Sequence, residues 1–131
     1  MYIGMKNRLS EKHLENVELK KLHELVIEAL DDLKGNDLVT VDMRGKLDII
    51  DMMVIASGTS DRHVQALADS VVNKAKKAGV TVVGVEKDRS WVLIDLYEII
   101  VHVMLPETRE FYNLEKLWQL EIPAEQAQTT L

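Results

Sequence analysis

The chain has 131 residues, 47% of them hydrophobic and 29% charged, with a formal charge of -6. That is the size and balance of one globular domain with a single core. The absence of cysteine excludes disulfides, thiol nucleophiles and thiolate metal sites. The acidic surplus disfavours nucleic acid unless basic groups gather on one face, and it favours a basic protein as partner. Residues 1–8 hold no apolar signal core, and no apolar run reaches the length of a membrane span. The expectation is a soluble cytoplasmic protein.

Residues 1–17 form a polar N-terminal segment, expected to be disordered or a loosely attached helix. Leu19, Leu22, Val26, Ala29, Leu30 and Leu33 then recur at the spacing of one helix face. Gly35 is expected to end that helix as a left-handed cap. Residues 38–43 read as a strand and residues 44–46 as a turn. Residues 52–57 are continuously apolar, as in a strand buried on both faces. Ser60 or Asp61 suits the N-cap of the next helix. Its core positions are Val64, Leu67, Ala68, Val71, Val72 and Ala75, and Gly79 closes it. Residues 80–85 read as a third strand, so strand, helix and strand make a βαβ unit with parallel strands and a right-handed crossover. Residues 86–90 are a charged loop. Residues 91–96 and 99–105 are two strands joined by Tyr97 and Glu98 in an antiparallel hairpin. A short helix starts at Pro106, residues 111–118 continue or follow it, and residues 119–131 form a polar tail. The sum is one α/β domain over residues 18–118, a mixed five-stranded sheet flanked by helices.

The hairpin separates two faces. Pairing Leu96 with Ile99 puts Val92, Ile94, Leu96, Ile99, Val101, Val103 and Leu105 on one side, all aliphatic and therefore core. The other side carries Trp91, Leu93, Asp95, Ile100, His102 and Met104. That mixed set suits a face under a helix with its polar groups satisfied internally. It equally suits a docking surface with an apolar centre and polar anchors. Spacing alone does not choose between them.

Enzymatic readings find thin support. Ser57-Gly58-Thr59-Ser60-Asp61 sits where a strand opens into a helix, a place that can bind phosphate. It lacks the Gly-Lys-Ser/Thr of a P-loop and the glycine spacing of a dinucleotide site, so an ordinary turn and cap is the simpler reading. A nucleotidyltransferase would need clustered carboxylates for two metals, but Arg62 and His63 follow Asp61, leaving only the scattered Asp48, Asp51 and Asp95. A Ser60, His63, Asp95 triad is inventory without geometry. His13 and His23 are expected to face solvent, and no two histidines have ligand spacing. Lys74, Lys76 and Lys77, with Lys87 and Arg89, read as a solvated basic face.

Specific residues go further. Asp32-Leu33-Lys34-Gly35, Val41-Asp42 with Gly45, and Ile50-Asp51 before the run from Ser57 to Val64 appear in order. Gly84-Val85-Glu86, the run from Trp91 to Leu96, the run from Ile100 to Met104 and the run from Arg109 to Trp118 follow. Together, over residues 22–118, they resemble the ribosomal silencing factor family, also called the Iojap-like family. The resemblance implies a nucleotidyltransferase-like fold without that catalysis, hence no enzyme, no cofactor and no metal. It implies binding to ribosomal protein L-fourteen on the large ribosomal subunit, blocked joining of the small subunit and lowered translation under nutrient limitation. Organellar relatives act in large-subunit assembly, and some members form homodimers.

The implied partner surface falls on Trp91, Leu93, Asp95, His102 and Met104, with Arg109 and Tyr112 nearby. Trp91 would be the apolar anchor, Asp95 the partner of a basic residue, and His102 the group that orients Asp95. Arg109 and Tyr112 would instead be structural if they tie the last helix to the sheet. Leu114, Leu117 and Trp118 are expected to pack the C-terminal helix on the domain. A divergent nucleotidyltransferase and a large-subunit assembly factor stand as alternatives.

Overall fold

The structure, a computed structural model, describes residues 4–44 and 50–113, with side chains from residue 18 onward. The elements run α1 (Gly4–Asp32), β1 (Asn36–Asp42), β2 (Met52–Ser57), α2 (Asp61–Lys77), β3 (Gly84–Lys87), β4 (Trp91–Asp95), β5 (Ile99–Met104) and α3 (Pro106–Tyr112). The five strands form one sheet in the order β1-β2-β5-β4-β3. β2 and β5 are parallel, and the other neighbours are antiparallel. The expected mixed five-stranded α/β domain is what forms. Residues 45–49, including Asp48, lie outside the described residues, as do 114–131 with the expected C-terminal packing of Leu114, Leu117 and Trp118 and the polar tail.

Alternation sorts the sheet into two layers. Met52, Val54, Ala56, Val92, Ile94, Leu96, Ile99, Val101 and Val103 point to one face. There they meet Leu19, Leu22, Val26, Ala29 and Leu30 of α1 and Val64, Leu67, Ala68, Val71 and Ala75 of α2. Every one of these helix residues comes from an apolar stripe legible by period. Ser70 Oγ donates to the Ala29 carbonyl at 2.8 Å. Lys74 Nζ bridges Glu28 (2.5 Å) and Asp32 (2.8 Å), which fixes the two helices side by side. Hydrogen bonds to Asp32 and then Glu28 raise the Lys74 pKa.

Several expectations shift. Of the two expectations for the N-terminal segment, residues 4–17 take the helical one, and α1 runs as one helix from Gly4 to Asp32. At its end the left-handed residue is Lys34 (φ 60), not Gly35. Lys34 N–H donates to Asp31 O and Gly35 N–H to Leu30 O, a Schellman motif with Lys34 at C′. Gly35 is glycine for space: a Cβ there would lie 3.1 Å from Leu30 O and 3.3 Å from side-chain carbons of Leu38 and Leu67. Leu33 consequently falls past the last helical turn and is 41% exposed. α2 ends in the same motif with Gly79 (φ 79) left-handed and Val80 N–H on Ala75 O. Val80 is thereby committed to the helix cap. The third strand therefore covers Gly84–Lys87 and not residues 80–85, and it absorbs the start of the expected charged loop. β2 and β3 do run in the same direction, but β5 and β4 lie between them, so they are not a paired unit.

Candidate functional site

The second face of the sheet is built from three rows of side chains. Val41, Met53, Ile100, Asp95 and Gly84 form one row. Val39, Ile55, His102, Leu93 and Glu86 form the next, and Ser57, Met104 and Trp91 the third. Toward β1 the face is closed: Val41, Met43, Met53, Ile55 and Met104 form a second buried cluster. Toward β3 it opens: Trp91, Leu93, Asp95 and Ile100 are half-buried and Glu86 is exposed. Among the described residues, the helix that reaches this face is α3, through Tyr112 on Trp91 (ring centroids 4.9 Å apart) and Arg109 on Ser57.

The candidate residues of the sequence separate into two depths. Trp91, Leu93 and Asp95 alternate along β4 with Val92 and Ile94, which are fully buried on the opposite face. Tyr112, 52% exposed, extends the apolar surface beyond Trp91. Met104 (0%), His102 (8%) and Arg109 (9%) lie beneath. Arg109 Nη1 donates to Ser57 Oγ at 2.9 Å and ties α3 to β2.

His102 is not the orienter of Asp95. Its Nδ1 accepts from Trp91 Nε1–H at 3.0 Å, with the two rings 5.7 Å apart. Burial pushes the His102 pKa down to about 4, so the ring is neutral near pH 7, and the proton it carries sits on Nε2. Asp95 instead accepts from the Tyr97 N–H at 2.8 Å. Tyr97 has φ 77, and Glu98 N–H donates to Leu96 O across it, so the hairpin turns through a γ-turn held by Asp95. Asp95 therefore shapes the hairpin and also presents charge on the face. Two shallow concavities flank Trp91. One of about 290 Å³ is lined by Glu86, Lys87, Asp88, Trp91 and Leu93. The other, about 280 Å³, opens toward Phe111 and Tyr112.

The alternative site at Ser57 to Asp61 is occupied by its own structure. Ser60 is the N-cap and accepts from His63 N–H. Gly58 N–H goes to Met104 O and Thr59 N–H to His63 Nδ1 at 2.8 Å. A Cβ on Gly58 would lie 2.9 Å from Val64, so the strand enters the helix by close approach. His63 Nε2 donates to Leu33 O at 2.7 Å, which supplies a partner to a carbonyl at the end of α1. The N–H groups of Gly58, Thr59 and His63 are thus engaged within the chain itself. Asp61 faces Arg89 at 3.8 Å. Asp51 and Asp95 lie toward the other end of the sheet, six and four strand residues from the row of Ser57, Met104 and Trp91, or roughly 20 and 13 Å, so neither a carboxylate cluster nor the Ser60, His63, Asp95 triad assembles. No group of three metal-capable side chains occurs among the described residues. His23 faces Thr40 Oγ1 at 2.7 Å and is half-buried, not simply solvated. The basic residues remain a solvated face, with Lys76, Lys77, Lys87 and Arg89 exposed; Lys74 bridges to α1, and Lys87 faces Asp69 at 3.7 Å. No helix among the described residues is long and apolar enough to cross a membrane.

Comparison with known proteins joins this geometry to a family. Residues 16–130 match the family model described as "Ribosomal silencing factor during starvation". The chain is 43% identical over 110 residues to ribosomal silencing factor RsfS of Chromobacterium violaceum, covering 82% of this chain and 90% of that one. It is 48% identical over 99 residues to ribosomal silencing factor RsfS of Haemophilus influenzae, covering 74% and 97% respectively. A crystal structure of a Chromobacterium violaceum protein superposes with a TM-score of 0.75 at 42% identity, covering 80% of this chain and 89% of that one.

Proposed function

The chain belongs to the ribosomal silencing factor family, and from that premise we propose that it binds the large ribosomal subunit through ribosomal protein L-fourteen, keeps the small subunit from joining and lowers translation under nutrient limitation. The observation that carries this reading is the open half of the second sheet face, where Trp91, Leu93 and Asp95 stand half-exposed in one strand with their alternate neighbours locked in the core. A half-exposed tryptophan beside an aliphatic and a carboxylate is the composition of an interface centre with a polar edge. Trp91, Leu93, Asp95 and Tyr112 make the contact. His102, Met104 and Arg109 hold them from behind. No chemistry is required: a body of 14.9 kDa seated where two subunits meet excludes one of them by volume. The acidic balance of the chain, -6, suits a basic protein as the docking partner.

The test is co-sedimentation of the purified chain with isolated large subunits, using Trp91→Ala and Asp95→Asn. Asparagine keeps the acceptor for Tyr97 N–H and removes the charge. The wild type is expected to pellet with large subunits and slow their joining to small subunits. Trp91→Ala is expected to bind roughly 30-fold more weakly, the scale of an interface hot spot. A wild type that stays in the supernatant overturns the reading. Full binding by both folded variants moves the surface elsewhere.

A further inference from the structure

We propose that the notch between Trp91, Phe111 and Tyr112 receives an arginine side chain of the basic protein on which the chain docks, an assignment that rests on the docking reading above. Phe111 is 80% exposed and Tyr112 52%. Single exposed apolar side chains are ordinary, but these rings are contiguous. Trp91 and Tyr112 lie 4.9 Å apart at 49°, and Tyr112 and Phe111 lie 4.9 Å apart at 86°. They share their concavity with Asp88, Ser90, Glu107 and Thr108. Both carboxylate residues are exposed, and among the described residues no basic side chain lines the notch. Among the described residues, the basic side chains adjacent in sequence have partners elsewhere: Lys87 faces Asp69 and Arg89 faces Asp61, both on α2, and Arg109 donates to Ser57. The Ser90 and Thr108 hydroxyls bond each other at 3.0 Å. The notch therefore offers aromatic faces inside and two exposed carboxylates at the rim. An anion is repelled there. An apolar group would cover the rings while stripping water from two carboxylates. A guanidinium meets both needs, because it stacks on rings and donates in a fork to carboxylates.

The experiment follows the Trp91 indole N–H by NMR in the full chain carrying Trp118→Phe, so that one indole remains. The probes are tetra-arginine amide, tetra-lysine amide and tetra-citrulline amide, the last matching arginine in shape without its charge. The arginine peptide is expected to shift the Trp91 signal saturably and the citrulline peptide to leave it in place. Tyr112→Leu should weaken the response about 5-fold and Glu107→Gln about 3-fold, the scale of an exposed cation–π or ion contact. Equal shifts by citrulline, no shift at all, or an unchanged response in Tyr112→Leu overturns the proposal. A lysine peptide that binds as tightly overturns the choice of arginine. None of these probes contains a ribosome. Loss of co-sedimentation by the wild type sinks the docking reading separately, and failure of the peptides with co-sedimentation intact sinks the notch alone.

Discussion

An imidazole takes up its proton near pH 6.5 in the unfolded chain, but burial lowers the His102 pKa to about 4 in the fold. Between those values the unfolded state holds more protons than the native state. Stability from His102 is therefore complete above about pH 6.5 and is lost as the pH falls toward 4. The full shift is worth on the order of 3 kcal/mol. Urea midpoints measured between pH 7 and pH 4 should fall less steeply in His102→Leu than in the wild type, and parallel curves would remove His102 as the cause. The substitution also strips the acceptor from Trp91 Nε1–H, so the Trp91 indole signal should move at neutral pH. This pair was not legible in the sequence. Ladder pairing sets Leu93 opposite His102 and Met104 opposite Trp91. Trp91 reaches His102 on the diagonal, as long aromatic side chains do. Parity sets His102 opposite Leu93 and leaves it two diagonal neighbours, Asp95 on one side and Trp91 on the other; side-chain reach and not spacing decides that the ring meets Trp91.

Element ends show the same division between what a pattern fixes and what packing decides. The apolar stripes of α1 and α2, the hairpin and its two faces were legible because burial imposes a strict period on strands and helices. The ends were less so. A glycine after a helix suggests a left-handed cap, and for α2 that holds at Gly79, where a Cβ would meet nothing within 4 Å. At Gly35 the same signal misleads, because Lys34 takes the left-handed position and Gly35 is pressed between Leu30, Leu38 and Leu67. The two glycines should respond differently to substitution. Gly79→Ala is expected to cost about 1 kcal/mol from the positive φ, and Gly79→Asn less, since asparagine tolerates that region. Gly35→Asn is expected to be worse than Gly35→Ala, because a larger side chain needs more room. Urea unfolding of the four variants reads both orders, and asparagine proving milder at both positions would mean that Gly35 is under conformational and not steric constraint. The late start of β3 has the same origin: Val80 closes the Gly79 cap, a role that its β-branched, strand-like composition hides.

Across the whole molecule, β4 divides stability from recognition between successive residues. Ile94 is fully buried in the core under α1 and α2, while Leu93, one residue earlier, stands half-buried on the other face between His102 and Glu86. Truncating a core isoleucine removes its transfer energy and leaves a cavity, together about 2–5 kcal/mol. At Leu93 the side chain already meets water, so truncation loses only part of that burial and opens no closed cavity. Ile94→Ala should therefore lower the thermal midpoint by many degrees. When assayed well below that midpoint, its folded fraction should still bind large subunits with near wild-type affinity. Leu93→Ala should cost roughly 1 kcal/mol of stability and weaken subunit binding by about 10-fold, the loss expected of an apolar side chain near an interface centre. Thermal unfolding and co-sedimentation on the same two proteins give both numbers. The crossed result, with stability falling at Leu93 and binding at Ile94, would mean that the face opposite the helices is core and that the ribosome meets the helical layer instead.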